Sequence, residues 1–196
     1  MVLEPNVEAG LESATDAELP NDTELVAAIN DGSHAAFESL YRRHRDWTVK
    51  LAMRFTCDEA LALDVMQETF LYLLRKFPGF ELRAGLRTFL YPAIRNLSIA
   101  ARRKAGRCQA GDAGNELLIN LPAPEIRRAG DADLAAVLAG LPTQQREVLV
   151  LRFVDGFRLE EIGVALEIPL GTVKSRLHNA LKTLRGDPRT RSLLDE

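Results

Sequence analysis

Apolar positions recur at helical spacing through most of the chain. Met66, Phe70, Leu73 and Phe77 fall at i, i+4, i+7 and i+11, the seam of a helix buried along one side. Val173, Leu177, Ala180, Leu181 and Leu184 repeat that spacing near the C-terminus. No alternating stretch runs longer than a few residues, so the pattern predicts an all-α protein. Asp22 or Thr23 is positioned to cap a short helix ending at Gly32. Ser33 caps a second helix running to about Cys57, with Phe37, Leu40, Tyr41, Trp47 and Leu51 as its apolar positions. A third spans residues 58–77 and stops at Pro78-Gly79, and a fourth spans residues 86–104. Helical pattern returns at residues 131–139, 143–154, 159–166 and 171–185.

Between these two groups the texture changes. Residues 105–130 hold Gly106, Gly111, Gly114, Pro122, Pro124 and Gly130, with one short apolar patch at 117–121. Such a stretch reads as a flexible linker. The expected organisation is two small helical domains, residues 23–104 and 131–196, the second containing a helix-turn-helix, behind a leader at residues 1–22.

Charge sharpens this division. Glu4, Glu8, Glu12, Asp16, Glu18, Asp22 and Glu24 precede Leu25 with no Lys or Arg among them, so the leader region carries −7. The whole chain of 196 residues is −3, which leaves +4 on the remainder. An acidic, solvating extension thus masks a basic body. The N-terminus lacks the basic and apolar regions of a secretory signal, and no apolar run approaches the roughly 18 residues that cross a bilayer. Cys57 and Cys108, far apart, read as reduced thiols, and the expected location is cytoplasmic without membrane insertion.

The most informative segment is IPLGTVKSRLHNALKTLR, residues 168–185, whose charged residues are all basic. It follows the short helix at 159–166 after a four-residue break, the arrangement of a helix-turn-helix. Opposite its apolar seam lie Thr172, Ser175, Asn179 and Lys182, flanked by Lys174, Arg176 and His178. Short polar groups suit base edges in a major groove, and cations suit phosphates.

Residues 141–185, LPTQQREVLVLRFVDGFRLEEIGVALEIPLGTVKSRLHNALKTLR, resemble the promoter-binding C-terminal domain of extracytoplasmic-function sigma factors. Upstream, FESLYRRHRDWTVKLAMRF, DVMQETFLYLLRKFPGF and LRTFLYPAIRNLSIAARRK resemble the core domain of the same family. The resemblance implies that Asp64, Gln67 and Glu68 dock on the beta prime coiled coil of core RNA polymerase. From the residues alone, a polar face of this kind is usually just solvated. It implies minus-ten recognition by the fourth helix, where Phe89, Tyr91, Arg95, Asn96, Arg102 and Arg103 combine rings for unpaired bases with cations for the backbone. It implies minus-thirty-five recognition by the helix-turn-helix, and a partner anti-sigma factor.

Two positions depart from the family pattern. Ala100 stands where many members carry Asp, and Pro92 falls inside the fourth helical pattern, where it removes a hydrogen bond. No phosphate loop, metal-ligand spacing or catalytic constellation is legible, so neither cofactor, metal nor enzymatic activity is expected. The expected function is an alternative sigma factor that binds core polymerase and promoter DNA. Two other readings fit parts of the pattern: a stand-alone helix-turn-helix regulator, and an interaction protein that sequesters polymerase or a regulator without touching DNA.

Overall fold

The computed structural model describes residues 20–106 and 137–188, all helix and connecting turns. Most of the leader and of the linker, residues 131–136 and the C-terminal residues 189–196 lie outside the described residues. Four helices make the N-terminal group: α1 (Asp22–Asn30), α2 (His34–Thr56), α3 (Glu59–Leu74) and α4 (Leu86–Lys104). The C-terminal group holds a helical stretch at residues 137–140, then α5 (Thr143–Phe153), α6 (Leu159–Leu166) and α7 (Leu170–Gly186).

The helix ends follow local chemistry. Asn21 caps α1, one residue before the expected caps: its Oδ1 accepts from the Thr23 and Glu24 amides at 3.0 Å. The Glu24 carboxylate accepts from the Asn21 amide at 2.9 Å and completes a capping box. Ser33 caps α2 through the Ala36 amide, and Asp58 caps α3 through the Leu61 amide. Helix α3 ends at Leu74, three residues before the predicted limit. Pro78 disfavours helical backbone at Phe77, so residues 75–77 form a turn closed by Lys76 N–H to Leu73 O and Phe77 N–H to Leu74 O. Helix α4 runs through Pro92 without a break.

Helices α2, α3 and α4 pack around Leu40, Leu51, Phe55, Leu73, Leu90 and Ile94, all essentially inaccessible to solvent. Truncating such a leucine to alanine costs about 2–5 kcal/mol. Asn30, at the end of α1, clamps the connection between α3 and α4. Its Oδ1 accepts from the Gly79 and Phe80 amides at 2.7 and 3.1 Å, and its Nδ2 donates to the Phe80 carbonyl at 2.9 Å.

The two helical groups pack directly on one another, which the linker composition does not foretell. Val148, Leu151, Phe157, Ile162, Ala165 and Val173 from the C-terminal group join the apolar core of the N-terminal one. A second, smaller cluster of Leu138, Leu141, Leu149 and Ala180 holds α5 and α7 together.

Candidate nucleic-acid interface

Helix α7 is anchored by Val173 and Ala180, both fully buried, with Leu177, Leu181 and Leu184 half-buried beside them. The opposite side is open: Lys174, Ser175, His178, Asn179 and Lys182 are all exposed. Thr172 is half-buried, and the Ser175 hydroxyl donates to its carbonyl at 3.0 Å. The turn before α7 is tight. Glu167 takes the left-handed conformation at φ 54, and the Ile168 amide donates to the Gly163 carbonyl at 3.0 Å. A Cβ at position 163 would lie 3.1 Å from the Ile168 carbonyl oxygen, so glycine there lets the turn fold back on α6.

The polar face of α3 is also where the helical spacing puts it. Asp64, Gln67 and Glu68 are exposed, while Met66, Phe70 and Leu73 are buried on the other side. Exposed Leu63, Leu71 and Leu74 lie along the same helix, so the surface is mixed rather than purely acidic.

Helix α4 departs most from expectation. Asn96 and Arg103 are exposed, and Arg102 is half-buried with its guanidinium donating to the Phe55 carbonyl at 3.3 Å. Phe89 is half-buried in a row of rings: Tyr72 stacks on it at 6.0 Å between centroids, and Phe80 meets it at 4.8 Å. Tyr72 lies outside the α3 seam, so spacing does not single it out, and only the fold brings it to Phe89. Tyr91 is a correction to the expected stacking surface. It is 1% exposed, with its ring edge-on to Phe55 and Phe157. Its hydroxyl donates to Glu147 Oε1 at 2.8 Å. Burial first, and then the Glu147 carboxylate, hold the phenol well above the usual tyrosine range, so it stays a donor.

Arg95 also meets Glu147, with Nε 3.5 Å from Oε1. Arg95 and Asn96 line a cleft of about 320 Å³ between the groups, together with Thr143, Gln144, Glu167 and Arg176. Arg176 therefore faces the N-terminal group and stands apart from the open stripe of α7. A second polar contact joins the groups beneath the surface. Asp155, in the turn after α5, accepts from Arg54 Nη1 and Nη2 at 2.6 and 2.9 Å and from Trp47 Nε1 at 3.2 Å. Neither Asp155 nor Glu147 stands out in the sequence pattern, because their partners Arg54, Trp47, Tyr91 and Arg95 lie about fifty to a hundred positions away. Among the described residues no cluster of His, Cys, Asp or Glu has the form of a metal site, and no helix is long and apolar enough to cross a membrane.

A four-helix body followed by a helix-turn-helix with an open basic stripe defines a class that family comparison makes specific. Residues 40–108 match Sigma-70 region 2, and residues 131–184 match Sigma-70, region 4. The chain is 33% identical over 192 residues to the ECF RNA polymerase sigma factor SigE of Mycolicibacterium smegmatis, an alignment covering 90% of this chain and 74% of SigE. It is 35% identical over 158 residues to SigL of Mycobacterium tuberculosis, covering 77% and 88% of the two chains. Among solved structures, CnrH in complex with the cytosolic domain of CnrY superposes with a TM-score of 0.59 at 25% identity, covering 89% of this chain and 97% of CnrH. RpoE in complex with the anti-sigma factor NepR from Bartonella quintana shares the fold, with a TM-score of 0.57 at 24% identity, covering 81% of this chain and 96% of RpoE.

The chain belongs to the extracytoplasmic-function sigma factors. It is an alternative sigma factor that directs promoter recognition with RNA polymerase.

Proposed function

We propose that three surfaces of this fold, on α3, α4 and α7, divide the work of initiation. Asp64, Gln67 and Glu68 on α3 dock on the beta prime coiled coil of core polymerase, since they are polar, exposed and carried by a helix whose other side is core. Arg95, Asn96, Arg102 and Arg103 on α4, with Phe89 at its start, engage the minus-ten element. The α7 stripe reads the minus-thirty-five element, with Ser175, His178 and Asn179 toward base edges and Lys174 and Lys182 toward phosphates. Thr172 and Arg176 flank it, both half-buried.

The observation that carries this reading is the α7 stripe. Five exposed polar or basic side chains share one helix face with no acid among them, above an anchor of Val173 and Ala180. The protein acts in the cytoplasm beside the polymerase, contributes no bond chemistry of its own, and is held in check by an anti-sigma factor, the kind of partner seen with RpoE.

Run-off transcription from a genomic fragment library, with core polymerase and this chain as the only sigma factor, tests the assignment. Selective transcripts sharing minus-ten and minus-thirty-five elements are expected. Binding of DNA without any polymerase-dependent transcript would favour a stand-alone regulator instead.

A further inference from the structure

Asn30 closes α1 and reaches a segment about fifty positions away. Its Oδ1 accepts from the Gly79 and Phe80 amides at 2.7 and 3.1 Å, and its Nδ2 donates to the Phe80 carbonyl at 2.9 Å. The backbone hydrogen bonds that close the turn after α3 stop at Phe77. Among the described residues, those three groups of Gly79 and Phe80 have no partner but Asn30. Gly79 sits at φ 92, a state that residues with a Cβ rarely adopt, so no regular structure holds this stretch. The clamp itself is firmly seated. Leu25, Val26 and Ile29 bury α1 in the core, and Asp22 ties its first turn to Arg43 and His44 of α2.

Phe80 belongs to a row of rings. Phe77 meets it edge-on at 5.5 Å between centroids, Phe89 lies 4.8 Å from it, and Tyr72 stacks on Phe89 at 6.0 Å. Lys76 Nζ stands 4.7 Å from the centre of the Tyr72 ring. All four rings are half-buried, so each is seated in the fold and still keeps open surface. Rings beside a cation suit a single strand, whose bases stack while its backbone follows the charge. Stacking demands a defined ring position, and a ring carried on a loop has that position only if something rigid braces the loop.

We propose that Asn30 is a positioning residue for minus-ten recognition. It acts through the Gly79–Phe80 backbone rather than by touching DNA. By fixing that backbone it holds Phe80 against Phe89, and so keeps Phe80, Phe89 and Tyr72 together as one stacking edge for the unpaired strand. The inference rests on the assignment of Phe89 to the minus-ten element made above.

The test uses holoenzyme reconstituted from core polymerase and each full-length variant, on a promoter recovered by the run-off selection, well below the melting temperature of every variant. Discrimination is the ratio of open-complex formation on the matched promoter to that on a single-base mismatch, measured separately at the minus-ten and minus-thirty-five elements. Asn30→Ala should lower minus-ten discrimination about tenfold, the size of one lost stacking contact, with minus-thirty-five discrimination and capture of core polymerase unchanged. Asn30→Asp keeps an acceptor for the two amides and loses the donor to Phe80, so it should recover part of the loss. It carries the test should Asn30→Ala fail to fold. Val65→Ala, buried in α3 more than two turns before the connection, is the destabilised control.

Equal loss in Val65→Ala, or a joint loss at both promoter elements, would reduce Asn30 to a residue of the fold and overturn the inference. Full minus-ten discrimination in both Asn30 variants, while Phe89→Ala loses it, would also overturn the inference and leave the functional reading standing. Full discrimination in Phe89→Ala would remove the minus-ten assignment itself, and the inference would fall with it.

Discussion

His44 Nε2 lies 2.9 Å from Asp22 Oδ2, while His44 Nδ1 is buried without a hydrogen-bond partner. The pair ties the first turn of α1 to the middle of α2, with Arg43 Nη1 on the other Asp22 oxygen at 2.8 Å. The arrangement selects a neutral imidazole whose Nε2–H donates to Asp22. A second proton would place an unpartnered N–H at Nδ1 inside the packing. Burial accordingly pushes the His44 pKa below its usual 6.5, despite the opposing pull of Asp22. The Asp22 carboxyl is lowered too. Burial alone would raise it, and the Arg43 and His44 hydrogen bonds outweigh that.

The signs of these two shifts agree. Below pH 6.5 the unfolded chain protonates His44 before the folded chain does, and below about pH 4 the same holds for Asp22. Both contributions to stability are therefore present at neutral pH and are lost on acidification. Thermal melting from pH 7.5 to 5 should fall, and His44→Gln should flatten the pH 5–6.5 part of that fall. A slope unchanged in the variant would assign it to other groups.

Asn30 supports the ring row at the start of α4. It makes three hydrogen bonds to residues 79 and 80, about fifty positions away, and so holds Phe80 against Phe89. Asn30→Ala should destabilise the protein by about 1–3 kcal/mol, because partly buried amides in the connection lose their acceptor. Chemical denaturation measures the loss, and proteolysis in the α3–α4 connection should quicken. Wild-type stability would mean that water replaces the amide at no cost.

How much of this was legible in the sequence depends on the range of the interaction. The helices, the Ser33 cap and the two-faced character of α3 and α7 are set by spacing within a few residues, and they stand where the pattern puts them. The end of α3 was misjudged because the apolar seam continues to Phe77 while Pro78 acts on the backbone before it. Tyr91 was misjudged for a different reason. A ring beside arginines reads as a stacking platform, and nothing local reveals that Phe157 and Glu147 will cover it from more than fifty residues away. The packing of the two groups was illegible for the same reason: a Gly- and Pro-containing linker sets reach and leaves docking to the surfaces it joins.

The polar face of α3 gives a separable prediction. Glu68 is exposed and its helix is anchored on the far side by Met66, Phe70 and Leu73. Glu68→Lys should leave the melting temperature within a few degrees, as exposed substitutions usually shift stability by less than about 0.5 kcal/mol. Capture of core polymerase by the tagged variant should drop by at least tenfold if a charge-reversed contact costs about 1.4 kcal/mol or more. Undiminished capture with normal melting would remove Glu68 from the docking surface.

The open stripe of α7 separates phosphate contacts from base contacts. Lys174 and Lys182 are exposed cations, each reaching from a different turn of the helix, and neither takes part in its anchor. A lysine that neutralises one phosphate displaces about one condensed counterion, so its loss changes the dependence of affinity on salt as well as affinity itself. Lys174→Ala and Lys182→Ala should each weaken binding to every duplex tested and reduce the slope of log K against log salt by about one unit. The ranking of minus-thirty-five sequences should be preserved, because a phosphate contact carries no base information. Asn179→Ala should do the reverse. The salt slope should hold, while discrimination at one base pair relaxes by about 1–3 kcal/mol, the worth of a bidentate amide contact. Measured by fluorescence anisotropy over a salt series with wild-type and single-mismatch duplexes, a lysine variant that changes sequence ranking while leaving the salt slope untouched would reverse the two roles.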